Sequence, residues 1–164
     1  KITIRTFALS APVNLDKPLL QEWLDDARVS YHECGECEGL HLKTLQEVEG
    51  MIDSRLFLEP WGLLLTSELE VRPTALLPLA ADLGRLNMDY PTLKIFQDVV
   101  DDATPQLVVA GTLPAAAGLT LEQMANFLSI SIAATRHIAA ECLQLNYLFA
   151  QGDSTVPPGS SAVH

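Results

Sequence analysis

The sequence is poor in cysteine, in basic residues and in long apolar runs, and each shortage excludes a class of protein. Three cysteines in 164 residues are too few for a disulfide-stabilised secreted scaffold. Ten lysines and arginines against 21 acidic residues give a net charge of −11, whereas nucleic acids and anionic membranes are bound by basic patches. No apolar run reaches the roughly 18 residues of a membrane-spanning helix, and no secretory signal pattern is visible. We therefore expect a cytoplasmic protein that binds neither nucleic acid nor membranes.

The remaining composition is that of a globular protein. Apolar residues make up 48% of the chain, and 164 residues predict one domain. We expect this domain to span residues 16–150. Residues 1–15 are expected to form an N-terminal arm, either vector-derived or extended, and residues 151–164, rich in turn-forming polar residues, a flexible tail.

A strand followed at once by a helix lies at the centre of the chain, between Gly62 and Leu86. Alternation predicts a half-buried strand whose inward side chains are Leu63, Leu65, Ser67, Leu69 and Val71. After Pro73 the spacing becomes helical, and the predicted inward residues are Leu76, Leu79, Ala80, Leu83 and Leu86. A second apolar row contains Leu77, Ala81 and Gly84. That row is either core or a partner surface, and the candidate partner-binding residues are Leu77, Ala81 and Leu83.

Patterning around this centre predicts an α+β fold with an antiparallel sheet packed against helices. The predicted elements are a helix from Asp16 to near Arg28, an extended stretch 31–43 with a hairpin turn at Gly35-Glu36, strands 48–58, 93–100 and 107–113, and a helix 120–145. In strand 48–58 we expect Ile52, Leu56 and Leu58 on one side. In the last helix, a capping box at Thr120 and Gln123 precedes a long apolar stripe that ends at Cys142 and Leu145.

One motif could carry chemistry: the sequence Cys34-Gly-Glu-Cys37, flanked by His32 and His41. Two thiolates and one or two imidazoles could hold zinc, and the pair could also act as a thiol switch. The sequence favours a third interpretation, an inert pair. A redox C-x-x-C normally opens a helix, whereas this one joins two predicted strands. Three glutamates around it are expected to raise the thiol pKa.

No other group of residues indicates catalysis. Cys142 is expected to be buried and His137 half-buried, and neither carboxylate pair, Asp25-Asp26 or Asp101-Asp102, has a nucleophile beside it in sequence. We therefore expect no enzyme, no catalytic residue and no cofactor.

Three stretches carry a resemblance to a known family: EWLDDARVSYHECGECEGLHL at 22–42, LEVRPTALLPLAADL at 69–83 and PQLVV at 105–109. They resemble the YbjN family, a group of proposed bacterial sensory transduction regulators, and the likeness runs from about Leu20 to about Leu145. The resemblance implies a fold like that of class I type III secretion chaperones, in the order α-β-β-β-α-β-β-α. It also implies roles in stress responses, motility, exopolysaccharide production and virulence traits, with no enzymatic activity.

Three hypotheses about function follow. The first is a non-enzymatic regulator that binds another protein, and the second is a secretion chaperone that holds an extended client segment. The third is a thiol- or zinc-responsive sensor that uses Cys34 and Cys37. A homodimer is also expected by analogy, because the chaperones pair through their second helix and its neighbouring strand.

Overall fold

A computed structural model describes residues 10–100 and 103–150. The predicted arm residues 1–9, Asp101-Asp102 and the tail 151–164 lie outside the described residues. The helices are α1 (Lys17–Asp26), α2 (Lys43–Gln46), α3 (Leu76–Asp89) and α4 (Leu121–Gln144), with a 3-10 turn (Pro73–Ala75) before α3. The strands are β1 (Tyr31–His32), β2 (Leu40–Leu42), β3 (Met51–Glu59), β4 (Gly62–Glu70), β5 (Lys94–Asp98) and β6 (Gln106–Pro114).

The six strands form one antiparallel sheet in the order β1-β2-β3-β4-β6-β5. This confirms the predicted α+β class with an antiparallel sheet. β4 lies between β3 and β6, and its predicted inward residues Leu63, Leu65 and Ser67 are buried. Alternation along β4 therefore assigned the faces of the sheet correctly.

The core lies between the helices and one face of the sheet, in two clusters. The α3-side cluster joins the end of β4, β5 and β6 to α3 and the C-terminal half of α4; its members include Leu69, Leu79, Leu86, Leu107 and Ile138. The α1-side cluster joins β2, β3 and the start of β4 to α1 and the N-terminal half of α4; its members include Leu20, Leu24, Leu56, Leu65 and Leu128. The opposite face of the sheet, called the outer face below, carries the intervening side chains.

The helix α4 begins as its sequence predicts, whereas α3 begins at Leu76, after the 3-10 turn and without a side-chain cap. Thr120 accepts a hydrogen bond from the Gln123 backbone, and the Gln123 side chain accepts one from the Thr120 backbone, which confirms the capping box. In α3, Pro78 is the third residue of the helix, where a missing backbone N–H leaves no intrahelical bond unmade. No helix of the described residues combines the length and apolar character needed to cross a membrane.

Three features of the strands and their connections differ from the predictions. Gly35-Glu36 is not a two-residue hairpin turn, because the loop between β1 and β2 spans residues 33–39. Ile52 is exposed, since the register of β3 against β4 shifts between Met51 and Asp53 and turns Ile52 outward. The helix α2 was not predicted.

Three helical positions were also wrong. Ala80 is exposed on α3, because only Leu79 and Leu86 form the buried side of this helix. Leu145 caps the end of α4 and is exposed, and His137 is exposed rather than half-buried. Cys142 is buried, as predicted.

Candidate functional site

The predicted chemical motif folds at one end of the sheet, on its outer face. Leu40 and Leu42 of β2 point into the α1-side cluster, so His41 between them points outward. Strand pairing places His32 opposite His41 and His41 opposite Arg55. The sheet therefore lines up a row of polar side chains across β1, β2 and β3.

The loop 33–39 brings its two cysteines back over this row. Gly35 has φ +78°, a left-handed conformation that glycine adopts without steric cost. At the other end of the loop, Gly39 packs so closely on Phe57 that a Cβ atom would lie 2.9 Å from its ring. Two glycines thus let the loop bend and lie flat against β3.

Cys34, Cys37 and His41 form a compact cluster. The two Sγ atoms are 3.4 Å apart, and Cys37 Sγ is 3.4 Å from His41 Nε2. All three ligand atoms lie within 4.8 Å of one another. Within residues 10–100 and 103–150, this is the one group of three histidine, cysteine or acidic side chains close enough to hold a metal ion. Cys34 is exposed, Cys37 half-buried and His41 buried, so the cluster opens to solvent on one side.

Asp53 orients the His41 ring through a hydrogen bond to Nδ1. Its Oδ1 atom lies 2.9 Å from His41 Nδ1 and also accepts hydrogen bonds from the Gln46 amide and the Ser54 backbone N–H. With Asp53 ionised, the neutral form of the ring carries its proton on Nδ1 and presents the Nε2 lone pair to Cys37. Asp53 and Ser54 are neighbours on β3 and point to opposite faces of the sheet. The sequence alone could therefore indicate that Asp53 points outward. Its contact with His41 was not, because that requires the strand register.

Two further side chains border the cluster. The His32 ring stacks on His41, with ring centroids 4.9 Å apart and an interplanar angle of 17°. Arg55 lies between Asp53 and Glu68, to which it forms ion pairs. His32 therefore contacts the cluster through the His41 ring, and Arg55 contacts it through Asp53.

The pKa of Cys34 is shifted in the direction opposite to the expected one. The pKa is lowered to about 7, chiefly because the Glu36 backbone N–H donates to Cys34 Sγ, with a further hydrogen bond between the Cys34 and Cys37 sulfurs. The expected increase from the three glutamates was wrong, since direct hydrogen bonds to the sulfur act at short range while exposed carboxylates are screened by water.

Opposing effects set the pKa values of His41 and Asp53. Burial lowers the pKa of His41, but the hydrogen bond to Asp53 and the contact with Cys34 outweigh it and raise the value. Burial raises the pKa of Asp53, but hydrogen bonds from Gln46, His41 and the Ser54 backbone lower it overall. Both shifts favour the pair of a protonated His41 and an ionised Asp53, in which the carboxylate orients the ring.

The other predicted site residues do not join this cluster. Leu77 and Ala81 are exposed on α3, whereas Leu83 is half-buried against the α3-side cluster. Asp25-Asp26 lies exposed at the end of α1. The partner-surface residues and the cysteine motif therefore occupy separate parts of the molecule.

Comparisons with known proteins agree with this fold and place the chain in a family of bacterial proteins. Residues 17–144 match the family model of YbjN, described as "Putative bacterial sensory transduction regulator". The chain belongs to the YbjN family. It is 44% identical over 108 residues to "Uncharacterized protein YbjN" of Escherichia coli K12, covering 66% of this chain and 68% of that protein. The protein of the same name from Shigella flexneri matches to the same extent.

Two solved structures share the architecture. The crystal structure of E. coli YbjN, described as "a putative transcription regulator", has a TM-score of 0.82 and 36% identity, covering 85% of this chain and 99% of the other. An uncharacterized protein from Methanothermobacter thermautotrophicus has a TM-score of 0.51 at 9% identity, covering 80% of this chain and 99% of the other. The second likeness concerns the fold alone. The resemblance to the YbjN family noted in the sequence is thus confirmed.

Proposed function

We propose that this protein is a non-enzymatic bacterial regulator that acts in the cytosol through protein–protein contacts. Its outputs would be stress responses, motility, exopolysaccharide production and virulence traits. The family description of a sensory transduction regulator supports this class. The observation that carries the contact mechanism is an exposed apolar surface on α3.

This surface, called the α3 face, faces away from the core. Leu77 is 83% exposed and Met88 is 81% exposed, and exposed small residues lie between them: Ala80, Ala81 and Gly84. Large exposed aliphatic side chains on one helix row are typical of a binding surface rather than of scattered surface residues. The α3 face contains Leu77 and Ala81, two of the three residues predicted for a partner surface.

The spacing of the α3 face favours a second copy of this chain as its occupant. Leu77, Ala81, Gly84 and Met88 follow one another at intervals of four, three and four residues, in the order large, small, small, large. Two such helices crossing antiparallel on a two-fold axis would bring their small residues together and set each Leu77 against the partner's Met88. A symmetric row of this kind is self-complementary, as an isologous dimer interface requires.

The net charge of the chain makes it possible to distinguish a second copy from a basic partner by the salt dependence of binding. Each chain carries a net charge of −11, so two copies repel one another at long range. Salt screens that repulsion while the apolar contact persists. Self-association through the α3 face should therefore strengthen with salt, whereas binding of a basic partner should weaken.

Sedimentation equilibrium of the full chain tests the interface. We expect dimers that tighten with added salt in the wild type, and monomers in Leu77→Glu/Met88→Glu. The control variant Ile130→Glu places one such charge at an exposed position of α4 and should dimerise normally. A wild-type protein that stays monomeric at high concentration and high salt would reject the second copy as the occupant.

Complementation tests the regulatory role. In a strain lacking the gene, the wild type and Ile130→Glu should restore motility and stress survival, and Leu77→Glu/Met88→Glu should not. Circular dichroism and thermal unfolding would verify that both variants fold. Full complementation by Leu77→Glu/Met88→Glu would show that regulation does not depend on contacts of the α3 face.

The secretion-chaperone hypothesis is favoured by a different surface. The outer face of β4, β5 and β6 forms a groove of about 530 Å³ lined in part by Leu64, Phe96, Val108 and Ala110. β5 is an edge strand, to which an extended client could add as a further strand. A client's N-terminal segment should then resist protease only when this protein is present. Phe96→Asp should remove that protection and Leu77→Glu/Met88→Glu should leave it intact.

A further inference from the structure

We propose that Cys34, Cys37 and His41 bind one zinc ion, with Asp53 as the residue that positions the histidine. The two cysteines would bind as thiolates, releasing their protons to solvent, and His41 would bind through Nε2. This inference does not depend on the α3 face, which lies elsewhere on the molecule.

Two of the three distances between the candidate ligand atoms are close to those of a tetrahedral zinc site. Zinc binds sulfur at about 2.3 Å and nitrogen at about 2.0–2.1 Å, so tetrahedral angles place two sulfurs about 3.8 Å apart and a sulfur and a nitrogen about 3.6 Å apart. The Sγ–Sγ distance is 3.4 Å and the Cys37 Sγ–His41 Nε2 distance is also 3.4 Å. The third pair, Cys34 Sγ and His41 Nε2, lies within 4.8 Å. Cys34 belongs to an exposed loop, and a shift of its sulfur toward His41 would close the site around the ion.

The hydrogen bonds of His41 prepare it as a ligand. Its Nδ1 donates to Asp53 Oδ1 at 2.9 Å, which leaves the Nε2 lone pair directed at the cysteines. Histidines that bind metals usually donate their second ring N–H to a carboxylate or carbonyl in this way. Asp53 is itself held by Gln46 at 2.9 Å and by the Ser54 backbone at 2.8 Å. The carboxylate is thus ordered before any ion binds.

The fourth position would be open. His32 stacks nearly parallel on His41, and two parallel rings do not direct their nitrogens at one ion. Cys34 is exposed, so the free side of the cluster faces water. A site with three protein ligands and a solvent position exchanges its ion and accepts outside ligands more readily than a closed four-ligand site. We therefore assign the site to reversible zinc binding.

Metal analysis of the full chain tests this assignment. The protein would be purified under reducing conditions without chelators, saturated with zinc, freed of unbound ion and analysed by mass spectrometry. We expect one zinc per chain in the wild type and none in Cys34→Ser/Cys37→Ser. Two matched controls, Cys142→Ala and His137→Ala, remove a cysteine and a histidine elsewhere and should retain the ion. Less than a tenth of a zinc per chain in the wild type, or equal zinc in the double serine variant, would overturn the proposal.

Cobalt titration tests the roles within the site. Co²⁺ should give thiolate-to-metal charge-transfer absorption in the wild type and lose it in Cys34→Ser/Cys37→Ser. Asp53→Asn should keep this absorption while its metal affinity falls about 10–100-fold. An unchanged affinity in Asp53→Asn would remove Asp53 from the assignment. Circular dichroism of each metal-free variant separates lost binding from lost folding.

The open fourth position makes its own prediction. His32→Ala should bind cobalt and zinc within about twofold of the wild type, whereas His41→Ala should lose binding. A loss in His32→Ala as large as that in His41→Ala would overturn the three-residue site in favour of four protein ligands.

Discussion

The Oγ atoms of Ser54 and Ser67 lie 2.9 Å apart on the inner face of the sheet, where both residues are fully buried. They are direct cross-strand partners on β3 and β4, and each hydroxyl satisfies the other. Ser67→Ala should destabilise the protein by about 1–3 kcal/mol, because Ser54 would keep a buried hydroxyl without its partner. Urea unfolding would measure this change.

The double variant Ser54→Ala/Ser67→Ala provides the control for that interpretation. Removing both hydroxyls leaves no unmatched polar atom from this pair. The free energy of unfolding should therefore fall less in the double variant than the sum of the decreases in the two single variants. Simple additivity would show that the two hydroxyls do not act as a pair.

Three leucines on α3 should respond differently to truncation. Leu79→Ala should cost about 2–5 kcal/mol, because Leu79 is completely buried in the α3-side cluster. Leu83→Ala should cost less, since Leu83 is only partly buried against the same cluster. Leu77→Ala should leave unfolding of the monomer within about 0.5 kcal/mol of the wild type and weaken self-association instead. Chemical unfolding and sedimentation would be measured on the same preparations, and a large folding defect in Leu77→Ala would place that residue in the core.

The Asn87 side chain makes three hydrogen bonds, of which two join α3 to β5 and one lies within α3. Its amide donates to the carbonyls of Leu83 and Ile95, and its oxygen accepts from the Ile95 backbone N–H. Asn87→Ala should cost about 1–3 kcal/mol, because those backbone groups lose their partner. Hydrogen exchange at Ile95 should accelerate in the variant. Asn126→Ala, at an exposed position of α4, should change neither quantity.

An ion-pair network around Arg85 should make stability depend on pH. Arg85 contacts Asp82 and Asp89 on α3 and Glu141 on α4. Its hydrogen bond to Asp82 is the main reason that the pKa of Asp82 lies below 3.8. A carboxyl whose folded-state pKa is lowered adds stability above its unfolded pKa and loses it as pH falls through the folded value.

Arg85→Met should therefore destabilise the protein at neutral pH and much less in acid. We expect the loss at neutral pH to be small, since exposed ion pairs are weakened by solvent and salt. Urea unfolding of both proteins at neutral pH and below pH 3.8 would give the comparison. Arg136→Met removes an arginine that donates to the Thr44 carbonyl, so its effect should not vary with pH in this range. Equal effects of Arg85→Met at both pH values would contradict the assignment.

The sequence was sufficient for the elements whose periodicity is strong. Leu63 and Leu65 alternate with polar residues and lie on the inner face, and the capping box at Thr120 begins α4 as predicted. Local patterns specify such features because each depends on residues a few positions apart. The loop 33–39 has no such period, and its course depends on packing of Gly39 against Phe57 of another strand.

The candidate site was predictable only as a set of residue types. Cys34, Cys37 and His41 were visible in the sequence as possible ligands, but their grouping on one side of the sheet was not. Asp53 was overlooked as a partner because it lies twelve residues from His41 and meets it only through strand pairing. The pKa of Cys34 was misjudged for a related reason, because a nearby backbone N–H has no signature in the sequence.

The position of α4 has a consequence for how the protein unfolds. Met124 and Leu128 at one end of this helix belong to the α1-side cluster, and Ile138 and Cys142 at the other end belong to the α3-side cluster. Neither half of the core can lose α4 without exposing apolar side chains of the other half, since one continuous helix serves both. The domain should therefore melt in a single cooperative transition, and damage to either end of α4 should lower the melting temperature of the whole molecule.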